Sequence, residues 1–379
     1  MNKRDYQICS NCVMDTSDSR ITFDDEGVCD HCKDFQAHVK PNWHTDERGR
    51  QELERLVVKI KDSGKKHDFD CLLGVSGGVD SSYMLHLAVK EFGLRPLVFH
   101  VDGGWNSEVA VHNINVLIDK LGLDLYTEVI NWEEMRDFQL AFFKSGVPHI
   151  DIPQDHAFIA GLYNFAEKYR VKYILNGGNI ATECVRNPME WLYYGTDMAQ
   201  IRDIIKRFGT VRMDTYPFSS IFKHKVYLRL LRGVKVVKPL NYRPYCRAEA
   251  AEVLSREYGW KNYPQKHFES RFTRFYESYW LPERFGFDTR RVQYSSLILT
   301  GQMARAEALK KLESPAYDPA TINDEFNYVA TKLGIEPEEL RKYFKMPKKF
   351  YWDYQNQQSV FRLGAYCLKA IGAERSIKR

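Results

Sequence analysis

The chain has 379 residues, 44% of them hydrophobic, enough for two or three domains with real cores. Its net charge of +5 suits a nucleotide or an anionic sugar nucleotide, and falls short of the basic stripe expected of a nucleic-acid platform. No run is long and apolar enough to span a membrane, and Met1 to Tyr6 lack the apolar core of a signal peptide, so a cytoplasmic protein is expected.

The eight cysteines do not suggest a disulfide framework. Cys9-x-x-Cys12 and Cys29-x-x-Cys32, sixteen residues apart, match the spacing of a structural zinc site. Two such knuckles turn four thiolates toward one point and close a tetrahedron, and a full sulfur shell argues for folding rather than catalysis. Zn2+ is the expected ion, with an iron–sulfur cluster or redox thiols as alternatives. His31, inside the second knuckle, reads as a surface histidine. Cys71, Cys184, Cys246 and Cys367 read as small buried side chains.

After a charged stretch with a helix near 52–60, strands and helices alternate. Strands are expected at Cys71–Val75, Pro96–Val101, Asp124–Val129, Lys172–Leu175 and Val234–Lys238. Helices are expected to begin near Asp80, Glu108, Trp132, Asp155 and Met198. This pattern gives an α/β fold, a parallel sheet whose ligands bind at the carboxyl ends of its strands. Expected domains are 1–45 (zinc ribbon), 46–245 (the α/β domain) and 246–379 (a helical region completing the site).

The first strand runs into Ser76-Gly77-Gly78-Val79-Asp80-Ser81-Ser82. A strand, a glycine turn and a helix start form an anion cradle, with unpaired N–H groups aimed at phosphate. The loop is not a Walker A motif, because an aspartate stands where a lysine would be needed. A carboxylate beside a polyphosphate calls for a divalent cation between them, so Asp80 suggests a Mg2+-bridged site. After the second strand comes His100-Val101-Asp102-Gly103-Gly104-Trp105. After the fourth comes Asn176-Gly177-Gly178-Asn179-Ile180-Ala181-Thr182-Glu183. In the latter the glycines allow close approach, and Asn179, Thr182 and Glu183 are candidates to hold magnesium or the α-phosphate.

Further on lies Lys266-His267-Phe268-Glu269-Ser270-Arg271-Phe272-Thr273-Arg274-Phe275. On a helix, Lys266, Ser270, Thr273 and Arg274 share a face of cations and hydroxyls, suited to a departing pyrophosphate. An exposed helix with paired charges, such as Glu269 with Arg274, is the competing reading. The tail 313–379 is helical and aromatic and adds little.

The Ser-Gly-Gly-Val-Asp-Ser run resembles the PP-loop of the ATP pyrophosphatases, the adenylating enzymes related to asparagine, GMP and NAD synthetases and tRNA thiolases. With the cysteine pairs, the Asn-Gly-Gly-Asn segment and the 266–275 string in this order, the chain to about residue 312 resembles the N-acetyl sugar amidotransferases of bacterial surface-polysaccharide and nonulosonic-acid biosynthesis. The resemblance implies that ATP is cleaved between its α and β phosphates. AMP goes onto the acetamido oxygen of a nucleotide-linked N-acetyl sugar, and ammonia replaces it to give an acetamidino group. It implies adenosine against Val101 and Asp102, the triphosphate on residues 76–82, Gly177, His267 and Ser270 among the nucleotide contacts, and Asp80, Lys266 and Arg274 as catalytic groups.

The chain begins Met1-Asn2, without an N-terminal cysteine nucleophile, and has no G-x-C-x-G elbow. The resemblance therefore favours a separate glutaminase and an ammonia-channel subunit as partners, with neither membrane nor nucleic acid. The rivals are a tRNA thiolase, whose best catalytic thiol is Cys184, and an inactive nucleotide-binding adaptor.

Overall fold

The computed structural model describes residues 5–370; the Met1-Asn2 start and the Cys367 side chain, both singled out above, lie outside the described residues. At the N-terminus, single antiparallel bridges, Ile8 with Asp15 and Phe23 with Cys29, shape the two knuckles, and α1 (Asp30–Asp34) opens at the second. Helix α2 (Glu47–Gly64) is longer than the sequence suggested. Asp46 caps it by accepting from the amides of Arg48 and Gly49.

The central domain then builds in order: β1 (Cys71–Gly74), α3 (Val79–His86), β2 (Pro96–Asp102), α4 (Glu108–Leu121), β3 (Leu125–Val129), α5 (Trp132–Ser145), α6 (Ile152–Lys168), β4 (Tyr173–Leu175), α7 (Ile180–Glu183), α8 (Met198–Phe208) and β5 (Lys235–Val237). All five strands are parallel, in the order β3-β2-β1-β4-β5. The order reverses between β1 and β4, which opens a crevice at their carboxyl ends.

The apolar runs of β1 and β2 form strands because both faces of the sheet are covered. Leu72, Leu97 and Phe99 enter one core with α5 and the C-terminal helices. Cys71, Leu73 and Val98 enter the other, with α3, α4 and α9 (Arg247–Tyr258). The expected strands agree to within a residue or two. Helix α6 starts at Ile152, three residues before the expected Asp155, with Pro153 in its first turn.

The C-terminal region is helical: α10 (Arg271–Phe275), α11 (Leu281–Phe285), α12 (Thr289–Leu299), α13 (Arg305–Leu312), α14 (Ile322–Lys332), α15 (Pro337–Lys345) and α16 (Gln358–Ala370). The expected helix over 266–274 is not formed. Residues 266–269 are a turn in which His267 has φ +66°, and Ser270 caps α10 through the amide of Thr273. This segment is tied to the loop after β2: the Ser107 amide donates to the Glu269 carbonyl at 2.9 Å, and the Arg271 amide to the Trp105 carbonyl at 2.8 Å. The cysteine module docks on α12 and α13. The Val13 amide donates to Ser295 Oγ at 3.2 Å, Arg291 pairs with Asp15 at 3.0 Å, and the Arg305 guanidinium donates to the carbonyls of Cys9 and Cys12. Among the described residues no helix is long and apolar enough to cross a membrane.

Candidate active site

The turn after β1 is a phosphate-sized cradle. Gly77 has φ +82°, and a Cβ there would lie 2.8 Å from the Ala110 carbonyl, so only glycine lets the loop rest on α4. Asn113 of α4 donates to the Gly77 carbonyl at 3.3 Å. Ser76, Gly78, Val79, Asp80 and Ser81 line a cavity of about 260 Å³, closed on other sides by Gly177, Glu183, Arg247, Lys266 and His267. Ser82 and Gly77 support this cradle without lining it, and Ser82 is buried beneath it. Gly177 is required because a Cβ would lie 2.6 Å from the Asp80 carbonyl, where the loop after β4 presses on the start of α3.

Asp80 is the electrostatic centre. Its Oδ1 accepts from Tyr245 Oη and from Asn179 Nδ2 at 3.2 Å, and its Oδ2 lies 3.3 Å from Lys266 Nζ. Lys266 also pairs with Glu183, at 2.5 Å. Burial works against the Asp80 charge, but Lys266, Tyr245 and Arg247 outweigh it and hold the carboxyl below its ordinary value. Burial likewise opposes the Lys266 ammonium, and Asp80 and Glu183 overcome it, so that lysine stays charged. The site therefore holds a carboxylate and a cation side by side where a metal–triphosphate would carry the same two signs.

Beside the cradle a second cavity, also about 260 Å³, shares Ser76, Leu162, Asn176 and Glu269 with it. Its walls are Phe99, Val101, Phe158, Ile159 and Leu162, apolar surface of the kind that accepts a nucleobase and ribose. Val101, singled out in the sequence, lines it. Asp102 is not in its lining: it accepts from the Gly104 amide at 2.8 Å and from Asn106 Nδ2 at 3.1 Å, fixing its own loop.

Other candidates are displaced from the roles read in the sequence. Arg274 leaves the cradle altogether and pairs with Glu325 at 2.7 Å, because α10 begins only at Arg271 and turns it outward. Arg247, at the start of α9, supplies the second cation instead. Asn179 and Thr182 are buried. The Asn179 Oδ1 caps α7 by accepting from the Thr182 amide and hydroxyl at 2.9 and 3.1 Å, so Thr182 holds Asn179, whose Nδ2 in turn donates to Asp80. Glu183 alone of that trio faces the cavity. Ser270 Oγ is taken up by Gln154 and by its cap, at the edge of the apolar cavity. Sequence reasoning missed Tyr245, Arg247, Glu269 and the α6 residues. No motif surrounds them, although Glu269 stood inside a string already singled out.

His267 lines the cradle, with Nδ1 2.9 Å from Glu277 Oε1. Burial lowers its basicity, yet Glu277 more than compensates and raises the imidazole to about 9. It thus carries charge at neutral pH and adds a cation to the phosphate side. The folded value lies above the ordinary 6.5, so the stabilisation is complete below pH 6.5 and is lost as pH rises through about 9. Denaturant unfolding from pH 6 to 10 should show His267→Gln losing, relative to the unmodified chain, a stability increment present at pH 6 and gone by pH 10. A pH-independent difference would assign His267 no charge of this kind.

The four N-terminal cysteines are buried, with their Sγ atoms all within 4.8 Å of one another. Cys9–Cys32, Cys12–Cys29 and Cys29–Cys32 stand 3.8, 3.6 and 3.6 Å apart. A tetrahedral ion with metal–sulfur bonds of about 2.3 Å puts its sulfurs about 3.8 Å apart, so the donors fit one Zn2+. They are too close together to enclose a four-iron cluster. Backbone amides of Asn11, Cys12 and Cys29 point at Cys9 Sγ at 3.2–3.4 Å, as befits a thiolate. His31 is not a ligand: its Nε2 lies 2.8 Å from Asp18 Oδ2. Of the other cysteines, Cys71 is buried in β1, whereas Cys184 and Cys246 are only partly so.

Residues 269–367 match the family described as "LPS biosynthesis protein WbpG-like, C-terminal domain". A search of the curated proteins finds no match. Among solved structures, the chain is similar to NMN synthetase from Francisella tularensis (18% identity, 76% of this chain, 97% of that one, TM-score 0.33). It is also similar to the NH3-dependent NAD synthetase from Campylobacter jejuni (13%, 80% and 99%, TM-score 0.30). A third is the U34-tRNA thiolase NcsA from Methanococcus maripaludis (13%, 83% and 85%, TM-score 0.32).

Proposed function

We propose that this protein, whose residues 269–367 form a WbpG-like C-terminal domain of LPS biosynthesis, is an ATP-dependent, AMP-forming amidotransferase acting on a nucleotide-linked N-acetyl sugar. The observation that carries the reading is the polar cradle beside the apolar cavity, with Asp80 held ionised in the cradle by Lys266, Tyr245 and Arg247. An amide carbonyl is a poor electrophile. In the proposed reaction its oxygen attacks the α-phosphorus, the bond to the β-phosphate oxygen breaks, and pyrophosphate leaves. Ammonia then adds to the activated carbon, loses its proton, and AMP departs to leave the acetamidino group.

The chain needs no covalent nucleophile for this. The amides of the α3 start and Ser76 and Ser81 hold the phosphates. Lys266, Arg247 and His267 stabilise the charge that gathers on pyrophosphate. Asp80 and Glu183 are the residues that would hold Mg2+, which when bound neutralises the triphosphate. The apolar cavity receives adenosine, and a zinc ion fills the cysteine cluster. Ammonia is supplied by a separate glutaminase through a channel subunit.

Burial pushes the Cys184 thiol up to about 12, and its Sγ donates to the Ser296 carbonyl at 3.7 Å. No thiolate is available there at neutral pH, which favours the amidotransferase over a thiolase. The test is pyrophosphate release by the purified chain with ATP, magnesium and ammonium, across UDP-linked N-acetyl sugars and bulk tRNA. Sugar-dependent release, with a product in which NH replaces oxygen, is expected. Release with tRNA alone would overturn the reading.

A further inference from the structure

A further cavity lies where three parts of the chain meet. Asp18, Arg20 and His31 come from the cysteine module, Cys184 to Glu190 from the stretch after α7, and Tyr351, Trp352 and Gln358 from the C-terminal region. It encloses about 80 Å³ within a wider cleft, room for several waters and hence for a phosphate group or the edge of a pyranose ring. It adjoins the cradle: Glu183, the last residue of α7, lines the cradle, and Cys184, the next, lines this cavity.

Two arginines, Arg20 and Arg186, stand in its lining beside three acids. Each acid at its rim is already engaged. Asp18 pairs with His31 at 2.8 Å, Asp34 with His38 at 3.0 Å, and Glu190 accepts from the Ser19 amide and hydroxyl, both at 2.6 Å. The Arg20 guanidinium is exposed and makes no ion pair or hydrogen bond among the described residues. Asn187 Oδ1 is buried in this wall with no partner, an acceptor left for a hydroxyl or amide donor. Trp352, 51% exposed and stacked on Phe350 at 5.0 Å, offers an aromatic plate at the opening.

We propose that this cleft is the acceptor site. Arg20 holds the diphosphate of the nucleotide-linked sugar, Trp352 stacks against its base or ring, and the N-acetyl arm extends past Glu183 into the cradle. The placement rests on the amidotransferase reading for the identity of the ligand, and on the cavity for its position. It also gives the cysteine module a task beyond its own folding, as a wall of the substrate site.

The test is calorimetric titration of the full chain, without ATP, with a panel of UDP-linked N-acetylhexosamines and with bulk tRNA. Wild type, Arg20→Ala and Trp352→Ala are compared, and ATP affinity and melting temperature are measured in parallel. Both substitutions are at exposed positions. The expected result is sugar-nucleotide binding weakened about tenfold or more in each variant, with ATP affinity and melting unchanged. Equal affinity in all three proteins would overturn the placement while leaving the reaction intact. Binding of tRNA alone, weakened by the same changes, would overturn placement and reaction together. No binding of any panel member would overturn the placement, since the cleft is complete without ATP.

Discussion

Asp80→Asn should cut the rate of the proposed sugar-dependent pyrophosphate release by about 10²–10³-fold while leaving the melting temperature nearly unchanged. The amide keeps the shape and one acceptor for Tyr245, so the fold has little reason to respond. What it removes is the charge that Lys266, Tyr245 and Arg247 hold in place, and with it the group best placed to meet a metal on the triphosphate. Lys266→Ala should act in the same direction, because Asp80 and Glu183 would then both face the phosphates unneutralised. Arg274→Ala should leave turnover within about twofold, since that guanidinium serves Glu325 and does not line the cradle. Steady-state assays of the three variants decide the matter. A loss in Arg274→Ala equal to that in Lys266→Ala would restore the helical cation face that the sequence alone suggests.

With Zn2+ on the four cysteines, as proposed, Cys29→Ser should release it and lower the melting temperature by about 10 °C, because a small metal module draws its folding free energy from the ion. The loss should spread beyond residues 1–45. Arg305 donates to the carbonyls of Cys9 and Cys12, and Arg291 pairs with the buried Asp15, so unravelled knuckles would leave both guanidinium groups of the C-terminal helices without partners. Metal content by atomic emission, with thermal melting, checks this. A chain that keeps its metal, or melts as before without it, would make the cluster incidental to the fold.

The parallel sheet was legible in the sequence because its strands are buried on both faces and read as unbroken apolar runs set between helical periodicities. The cradle was legible because glycine, serine and aspartate must stand consecutively for a tight turn to open a helix. The knuckles were legible from spacing alone. What could not be read was where a residue's neighbours in space come from. Tyr245 and Arg247 reach Asp80 from the far end of β5, and no local pattern distinguishes them from packing residues. The segment 266–274 was misread for a related reason: its three- and four-residue spacings suit a helix, but hydrogen bonds to the Trp105 carbonyl and from the Ser107 amide hold it as a turn until Ser270. Asn179 and Thr182 look like ligand tips in one dimension and prove to be a helix cap in three.

The stitching of Glu269 and Arg271 to the loop after β2 bears on how such a chain can be cut and recombined. The WbpG-like match begins at residue 269, and the Glu269 carboxylate lies 2.5 Å from where a Gly78 side chain would start. The start of the matched segment therefore runs through the wall of the cradle rather than along a linker. A fragment ending before residue 269 loses a wall of both cavities, and a graft of another C-terminal segment must rebuild the contacts with Trp105 and Ser107 to close them again. The two segments are thus constrained to fold and to be engineered together.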